Sequence, residues 1–333
     1  MVSQLMGQSV PLSQVYDAAL MDLDGVAFQG TNPIPHASEG IEMARGDGLR
    51  ICFLTNNASR PPSAVVAHLA SVGIGAVDDD VVTASQAGAA MVARDFPAGS
   101  PVLVVGGPGV VEAVDQAGLI PVFSAYENPV AVLQGYGPAV DWIALAEATY
   151  AIRAGAKFYA TNLDKTLPTE RGFAPGNGSL VAAVRTATGV EPTSAGKPEP
   201  GIFHAAARRF GATKPLVVGD RLDTDIAGAN AAGMPCLAVL TGVSTASDLA
   251  MAPPDIRPTY VGADLRALAE PHPEPRQEGE WWVVGGARAQ VTDGVASASG
   301  GKWIDQVRAL LAASWHAADA GTHLTACLTE STR

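Results

Sequence analysis

The segment that most constrains this chain runs from Leu20 to Phe28 and reads Leu-Met-Asp-Leu-Asp-Gly-Val-Ala-Phe. Apolar residues lead up to Asp22, a second acid follows two positions on, and Gly25 breaks the run. That pattern predicts a buried strand over 18–22 ending in a sharp turn with two carboxylates at its tip. Side chains two apart share a face only while a strand lasts. Asp24 is therefore expected in the turn, curling back over the same site. Carboxylates this close repel unless a cation or a shared proton holds them. One reading is an aspartate nucleophile and an acid/base partner around a metal ion; the other is a capped strand with a solvated turn. Asp-Leu-Asp alone does not separate them.

The rest of the chain repeats the strand-then-turn theme. Strands are predicted at 50–54, 81–83, 216–218 and 236–240, with helices at 34–45, 63–72, 85–93, 203–210 and 225–232. Alternating strands and helices indicate a Rossmann-like parallel-sheet core with helices on both faces. A second α/β pattern interrupts it. Strands are expected at 102–105, 121–123, 130–133 and 157–161, helices at 110–117, 141–154 and 179–187, and a Gly/Pro-rich loop at 167–178. The predicted division is core over 1–85 and 189–270, an inserted α/β cap over 86–188, and a small α+β tail over 276–333, with polar residues 1–14 loose. In the tail, 281–284 and 287–291 alternate like a hairpin and 303–317 has helical spacing. The tail is short for an independent core.

Composition narrows the partners. The 333 residues carry a formal net charge of −12 and are 47% hydrophobic. An acidic chain is a poor match for nucleic acid or an anionic membrane, and no apolar run reaches the ~20 residues that span a bilayer. Cys52, Cys236 and Cys327 are sparse and follow no metal-binding spacing. They fit a reducing cytoplasm, with Cys52 and Cys236 as core fillers. No basic residue precedes the first apolar segment, so the start does not read as a signal peptide.

Three further clusters fall at or near predicted strand ends, the edge where open α/β sheets bind ligands. Thr55-Asn56-Asn57 offers a hydroxyl and amides that suit phosphate oxygens, or a helix-capping turn. Lys197, in Ala-Gly-Lys-Pro-Glu-Pro, offers one fixed positive charge. Asp220, Asp223 and Asp225 follow the strand at 216–218. Three acids in six residues repel, and a hard cation relieves this; Mg²⁺ needs only one or two carboxylates plus substrate oxygens and water. Asp223 and Asp225 also suit helix capping. Gly106-Gly107-Pro108-Gly109 does not complete Gly-x-Gly-x-x-Gly and reads as a turn. The six histidines form no His-Glu-x-x-His pattern. Trp281, Trp282 and Trp303 read as tail core or subunit contact.

Taken together, Asp22-Leu23-Asp24-Gly25-Val26, Thr55-Asn56-Asn57, Gly196-Lys197-Pro198 and 219–225 resemble, in order, the four motifs of the haloacid dehalogenase superfamily. Thr161-Asn162-Leu163-Asp164 and Leu240-Thr241-Gly242-Val243-Ser244-Thr245 resemble its subgroup with a large α/β cap, which includes p-nitrophenylphosphatases, pyridoxal phosphate phosphatases and phosphoglycolate phosphatases. The resemblance covers about residues 15–268, and the tail is similar to a shortened acetyltransferase-like fold without a convincing pyrophosphate loop.

The resemblance implies a Mg²⁺-dependent phosphatase working through an aspartyl-phosphate. Asp22 is the implied nucleophile and Asp24 the acid/base. Asp22, the main-chain oxygen of Asp24, and Asp220 are the implied metal ligands, with Asp225 in support ordering a metal-bound water. Thr55, Asn56 and Lys197 are the implied phosphate ligands. Asn162, Asp164 and Arg171, with neighbouring Lys165 and Glu170, are the cap candidates for substrate contact or core–cap pairing. The appended tail directs the substrate expectation to glycerol 3-phosphate, with phosphoglycolate and pyridoxal phosphate as alternatives. A phosphosugar mutase or a non-catalytic scaffold is the reading from another class. The cap or the tail is the expected surface for a homo-oligomer.

Overall fold

Apolar runs that alternate with helices have one stable outcome, a parallel sheet covered on both faces. The computed structural model describes residues 5–169 and 171–329 and divides the chain into two units. The first takes in residues up to Cys52, Val72–Ile74, and Ala207 onward; the second takes in Phe53–Ser71 and Gly75–Ala206.

In the first unit the strand Ala18–Asp22 lies parallel to Pro215–Gly219, with Leu20 opposite Val217 and Met21 opposite Val218. Cys236–Val239 and then Tyr260–Gly262 continue the sheet in parallel on that side. Residues 50–52, the start of the strand Arg50–Thr55, flank Ala18–Asp22 on the other. Leu20 and Met21 point to opposite faces, yet both are fully buried, so each face of the sheet is covered. Cys52 and Cys236 are buried in their strands, as the sequence indicates. The helix Ala37–Gly46 crosses the short helical turn Leu265–Ala269 at Gly40. A Cβ there would stand 2.4 Å from the Leu265 carbonyl carbon, so only glycine allows the approach.

The second unit holds a five-stranded sheet in the order Thr193–Ser194, Lys157–Ala160, Ala131–Gln134, Pro101–Val105, Ile120–Val122. All its pairings are parallel. One face packs through Val92, Val104, Val110 and Leu133, and the other through Leu103, Val132, Ile152 and Val181. The α/β class with parallel sheets and flanking helices is the one expected from the sequence. Among the described residues no helix is long and apolar enough to cross a membrane.

Two expectations need correction and a third is extended. The 167–178 loop contains a hairpin, Thr166–Thr169 with Gly172–Pro175; Pro168, Gly172 and Pro175 hide its alternation. Residues 5–14 are not loose. Leu12 is fully buried, Gln8 bridges to His272, and Ser13 Oγ donates to Asp47 at 2.5 Å. In the tail the expected hairpin, Trp281–Val284 with Ala287–Thr292, is present, and it is part of a five-stranded sheet. Arg276–Glu278, Trp281–Val284, Ala287–Thr292 and Val295–Gly300 run antiparallel in sequence order, and Ala326–Thr329 adds in parallel. Arg276–Glu278 is wholly exposed and Val295–Gly300 is built of Ala, Ser and Gly around one Val, so neither carries the β-branched signal of a strand.

The helix Trp303–Asp319 lies on that sheet and joins it to the rest of the first unit through buried polar contacts. Trp315 Nε1 donates to the Leu249 carbonyl at 2.8 Å, and the Arg257 guanidinium lies 5.3 Å from the Trp315 ring centre. Arg257 also pairs with Asp319 at 2.9 Å. Arg308 donates to the Val261 carbonyl at 3.0 Å, to Asp305 at 3.1 Å and to His272 Nδ1 at 3.2 Å. An arginine cannot accept, so His272 Nδ1 does, and the imidazole proton sits on Nε2, 2.9 Å from the Ala267 carbonyl. His272 is thus held neutral. Burial, then the adjacent Arg308 charge, push its pKa down from 6.5 to about 4. Sequence reasoning gave this histidine no role.

Candidate active site

The strand Ala18–Asp22 carries its acid out of the sheet at the C-terminal edge. Asp22 is half-buried, Leu23 returns to the core and Asp24 is exposed in the turn. The turn closes on itself. The Leu23 carbonyl accepts from the N–H groups of Val26, Ala27 and Phe28, and Gly25 N–H donates to the Phe28 carbonyl at 2.8 Å. Gly25 has φ +82°, and a Cβ there would stand 2.5 Å from Asp220 Oδ2. The glycine that ends the first run is therefore needed for both the turn and the room beside Asp220.

Asp220 follows the neighbouring strand Pro215–Gly219 and is 1% exposed. Its Oδ2 accepts from Val243 N–H at 2.7 Å, and its main-chain oxygen accepts from Ser244 N–H at 3.1 Å. Thr241 Oγ1 donates to the Gly25 carbonyl at 2.6 Å, which ties this loop to the Asp22 turn. A Cβ on Gly242 would lie 1.9 Å from Asp220 Oδ2. Asp225 is also 1% exposed and accepts from Arg221 N–H at 3.1 Å. It sits in a single π-helical turn, Leu222–Ile226, before the helix Ala227–Ala231; such turns are frequent at functional sites. Gly219 leaves the space into which Asp225 fits, since a Cβ there would stand 2.3 Å from Asp225 Cβ.

The outcome is that Asp22, Asp220 and Asp225 each bring a carboxylate oxygen within 4.8 Å of the other two. Two are almost wholly buried, so solvent does little to screen them. An all-oxygen set of three anions fits a hard divalent cation and suits Mg²⁺ or Ca²⁺ better than a soft metal. Asp223 is apart from this set in its bonding; its carboxylate pairs with Arg221 at 2.8 Å, which lowers its pKa.

The second unit places the other sequence-identified residues. Thr55 ends its strand, is 4% exposed, and its Oγ1 accepts from Asn57 N–H at 3.0 Å, leaving the hydroxyl proton to donate. Asn162 and Lys197 are buried at 3% and 4% exposure. Asn162 Nδ2 donates to the Asn56 carbonyl at 2.7 Å and its Oδ1 accepts from Asp164 N–H at 3.2 Å. Arg171 is exposed in the turn of the Thr166–Pro175 hairpin, and Lys165 is exposed before it; Glu170 lies outside the described residues. Gly107 precedes the helix Pro108–Gln116, whose proline stands at its start. Gly109 lets that helix meet the main chain at Arg60, 2.7 Å from where a Cβ would stand. Sequence reasoning assigns no role to Thr241, Gly242 or the N–H of Val243. A glycine just after the strand Cys236–Val239, at the same sheet edge, is the signal that marks them.

Comparison with known proteins agrees with this arrangement. Residues 19–120 match the family described as haloacid dehalogenase-like hydrolase, and 194–268 match a second, HAD-hydrolase-like description. D-glycerol 3-phosphate phosphatase of Mycobacterium tuberculosis is 44% identical over 322 residues, covering 94% of this chain and 89% of that protein. Acid sugar phosphatase of Staphylococcus aureus is 39% identical over 258 residues, 77% of this chain and 98% of its own. Among solved structures, glycerol phosphate phosphatase from Mycobacterium tuberculosis in complex with magnesium superposes with a TM-score of 0.85 at 42% identity, covering 97% of this chain and 96% of that one. The p-nitrophenyl phosphatase from Archaeoglobus fulgidus reaches 0.71 at 30% identity, covering 76% and 98%. With its acids gathered at the sheet edge and relatives this close along nearly its whole length, the chain belongs to the haloacid dehalogenase-like hydrolases.

Proposed function

We propose that this protein is a Mg²⁺-dependent phosphatase that hydrolyses a small phosphate monoester, glycerol 3-phosphate, through an aspartyl-phosphate on Asp22. The observation that carries the reading is the meeting of Asp22, Asp220 and Asp225 oxygens within 4.8 Å at the sheet edge. The glycerol phosphate relatives support the substrate. Asp22, the main-chain oxygen of Asp24, and Asp220 would hold the cation, and Asp225 would support them. When bound, Mg²⁺ supplies charge neutralisation for the phosphoryl oxygens.

The chain's own groups do the rest. A carboxylate oxygen of Asp22 attacks phosphorus, the bond to the leaving alkoxide breaks, and Asp24 gives that alkoxide a proton. Asp24 then takes a proton from water as the water attacks phosphorus, which releases phosphate and regenerates Asp22. The exposure of Asp24 in its turn is consistent with a group that exchanges protons with solvent. Thr55, Asn56 and Lys197 bind the phosphoryl oxygens, and little beyond positioning and charge is asked of them. The inserted segment 86–188 acts as the cap, with Asn162, Asp164 and Arg171 as its substrate-side candidates. The tail is read as an acetyltransferase-like fragment kept for structure, a role that the Arg257–Asp319 and Arg308–His272 contacts support.

Phosphate release from glycerol 3-phosphate, phosphoglycolate and pyridoxal phosphate, with Mg²⁺ and after chelation, tests the reading. Glycerol 3-phosphate should be preferred and chelation should stop turnover. Turnover unaffected by chelation, or none with any ester, would sink it.

A further inference from the structure

The side chain of Asn56 is taken up by its neighbours within the second unit. Oδ1 accepts from Lys197 N–H at 2.9 Å, and Nδ2 donates to the Lys197 carbonyl at 3.1 Å. One carboxamide therefore grips both main-chain groups of Lys197, as a neighbouring strand would. Nδ2 also donates to the Asp164 carboxylate, at 3.2 and 3.3 Å to its two oxygens. A charged acceptor makes the stronger bond and fixes which way the amide faces. Gly196 permits the approach, since a Cβ there would lie 2.8 Å from Asn56 Oδ1 and 2.5 Å from the Thr161 carbonyl. Behind Asp164, Asn177 Nδ2 donates to the Asn162 carbonyl at 2.8 Å.

We propose that Asn56 is a positioning residue for Lys197: its carboxamide, oriented by Asp164, fixes the main chain from which the buried ammonium extends. Lys197 has a long, flexible stem, so the accuracy of its charge depends on how firmly its backbone is held. Asn56 then serves phosphate through its main-chain N–H, which takes part in none of these bonds, while its side chain acts through Lys197. Asp164 is assigned to the same task rather than to direct substrate contact. The inference rests on Lys197 being a phosphate ligand, as proposed above.

The test uses the full chain with Mg²⁺ and p-nitrophenyl phosphate as probe. Values of kcat, KM and inhibition by inorganic phosphate are compared for Asn56→Ala, Asp164→Asn, Lys197→Ala and the Asn56→Ala/Lys197→Ala double variant, each checked by thermal melting. Asn56→Ala should lower kcat about 10- to 100-fold, the scale of a misplaced catalytic group. In the Lys197→Ala background it should add less than about threefold, because residues that act as a unit are not additive. Asp164→Asn should show a smaller loss of about 3- to 10-fold that also vanishes without Lys197. Equal losses in both backgrounds, or a folded Asn56→Ala protein with normal kcat, would overturn the inference. Should Asn56→Ala fail to fold, Asp164→Asn decides it by the same criterion. An impaired Lys197→Ala beside a normal Asn56→Ala removes only this inference. A fully active Lys197→Ala removes the phosphate role of Lys197 as well.

Discussion

Gly242→Ala should cripple the acidic cluster without unfolding the protein. Gly242 is not among the residues with positive φ, so alanine suits the backbone. The difficulty is space. The new Cβ would lie 1.9 Å from Asp220 Oδ2, where real contacts do not fall below 3.0 Å. The carboxylate or the loop must therefore retreat by about 1 Å, against a core as dense as a crystal. That retreat also strains the 2.7 Å bond from Val243 N–H to the same oxygen. A displacement of this size at a catalytic group costs about 100-fold, or about 2.7 kcal/mol at 1.36 kcal/mol per decade. The assay is turnover against Mg²⁺ concentration, paired with melting in the same series. If Kd rises about 100-fold, then at Mg²⁺ equal to about 100 times the native Kd the linked stabilisation falls from about 2.7 to about 0.4 kcal/mol. A variant with native half-saturation and kcat within about twofold would refute the geometry assigned to Asp220.

Other outcomes follow from the same structure. Asp22→Asn should abolish turnover while melting in metal-free buffer does not fall, because one of three clustered anions is gone; normal activity would count against the nucleophile. Trp315→Ala should destabilise by about 3–5 kcal/mol, read from the urea midpoint, since it empties a buried site and removes the indole bond to the Leu249 carbonyl; a change under about 1 kcal/mol would show that the tail helix is dispensable. His272 makes stability fall in acid. Its pKa drops from 6.5 to about 4 on folding, so between those values the unfolded chain binds a proton that the folded chain refuses. The contribution is full above pH 6.5 and is lost as pH falls towards 4, by up to about 3 kcal/mol. His272→Gln should flatten that part of the stability profile, and an identical slope in both proteins would rule the histidine out as its source.

Asp22 and Asp220 were legible because each ends a run of buried apolar residues, and a strand end is where period-2 patterning stops. The sheet's last strand, Tyr260–Gly262, was not, because Pro253, Pro254 and Pro258 just before it read as a break in the pattern; it is defined by pairing with Leu237–Val239. The hold of Asn56 on Lys197 spans 141 positions, and its bond to Asp164 spans 108. No local pattern encodes a partner that distant, so the sequence offered Asn56 only as an amide near phosphate. Arg257, Arg308 and His272 were equally silent, since a buried polar side chain looks like a solvated one until its partners are known.

The first unit is discontinuous in the chain, and this sets the timing of its assembly during synthesis. Leu20 and Met21 are made early, but the strand Pro215–Gly219 that flanks them emerges about 190 residues later. At translation rates of 5–20 residues per second this is on the order of 10–40 s. Residues 75–206 emerge within that interval and have their own parallel sheet to fold. The nascent amino-terminal strand meanwhile has one edge without its partner, so the ribosome-bound chain is the stage at which holdase chaperones have most to protect.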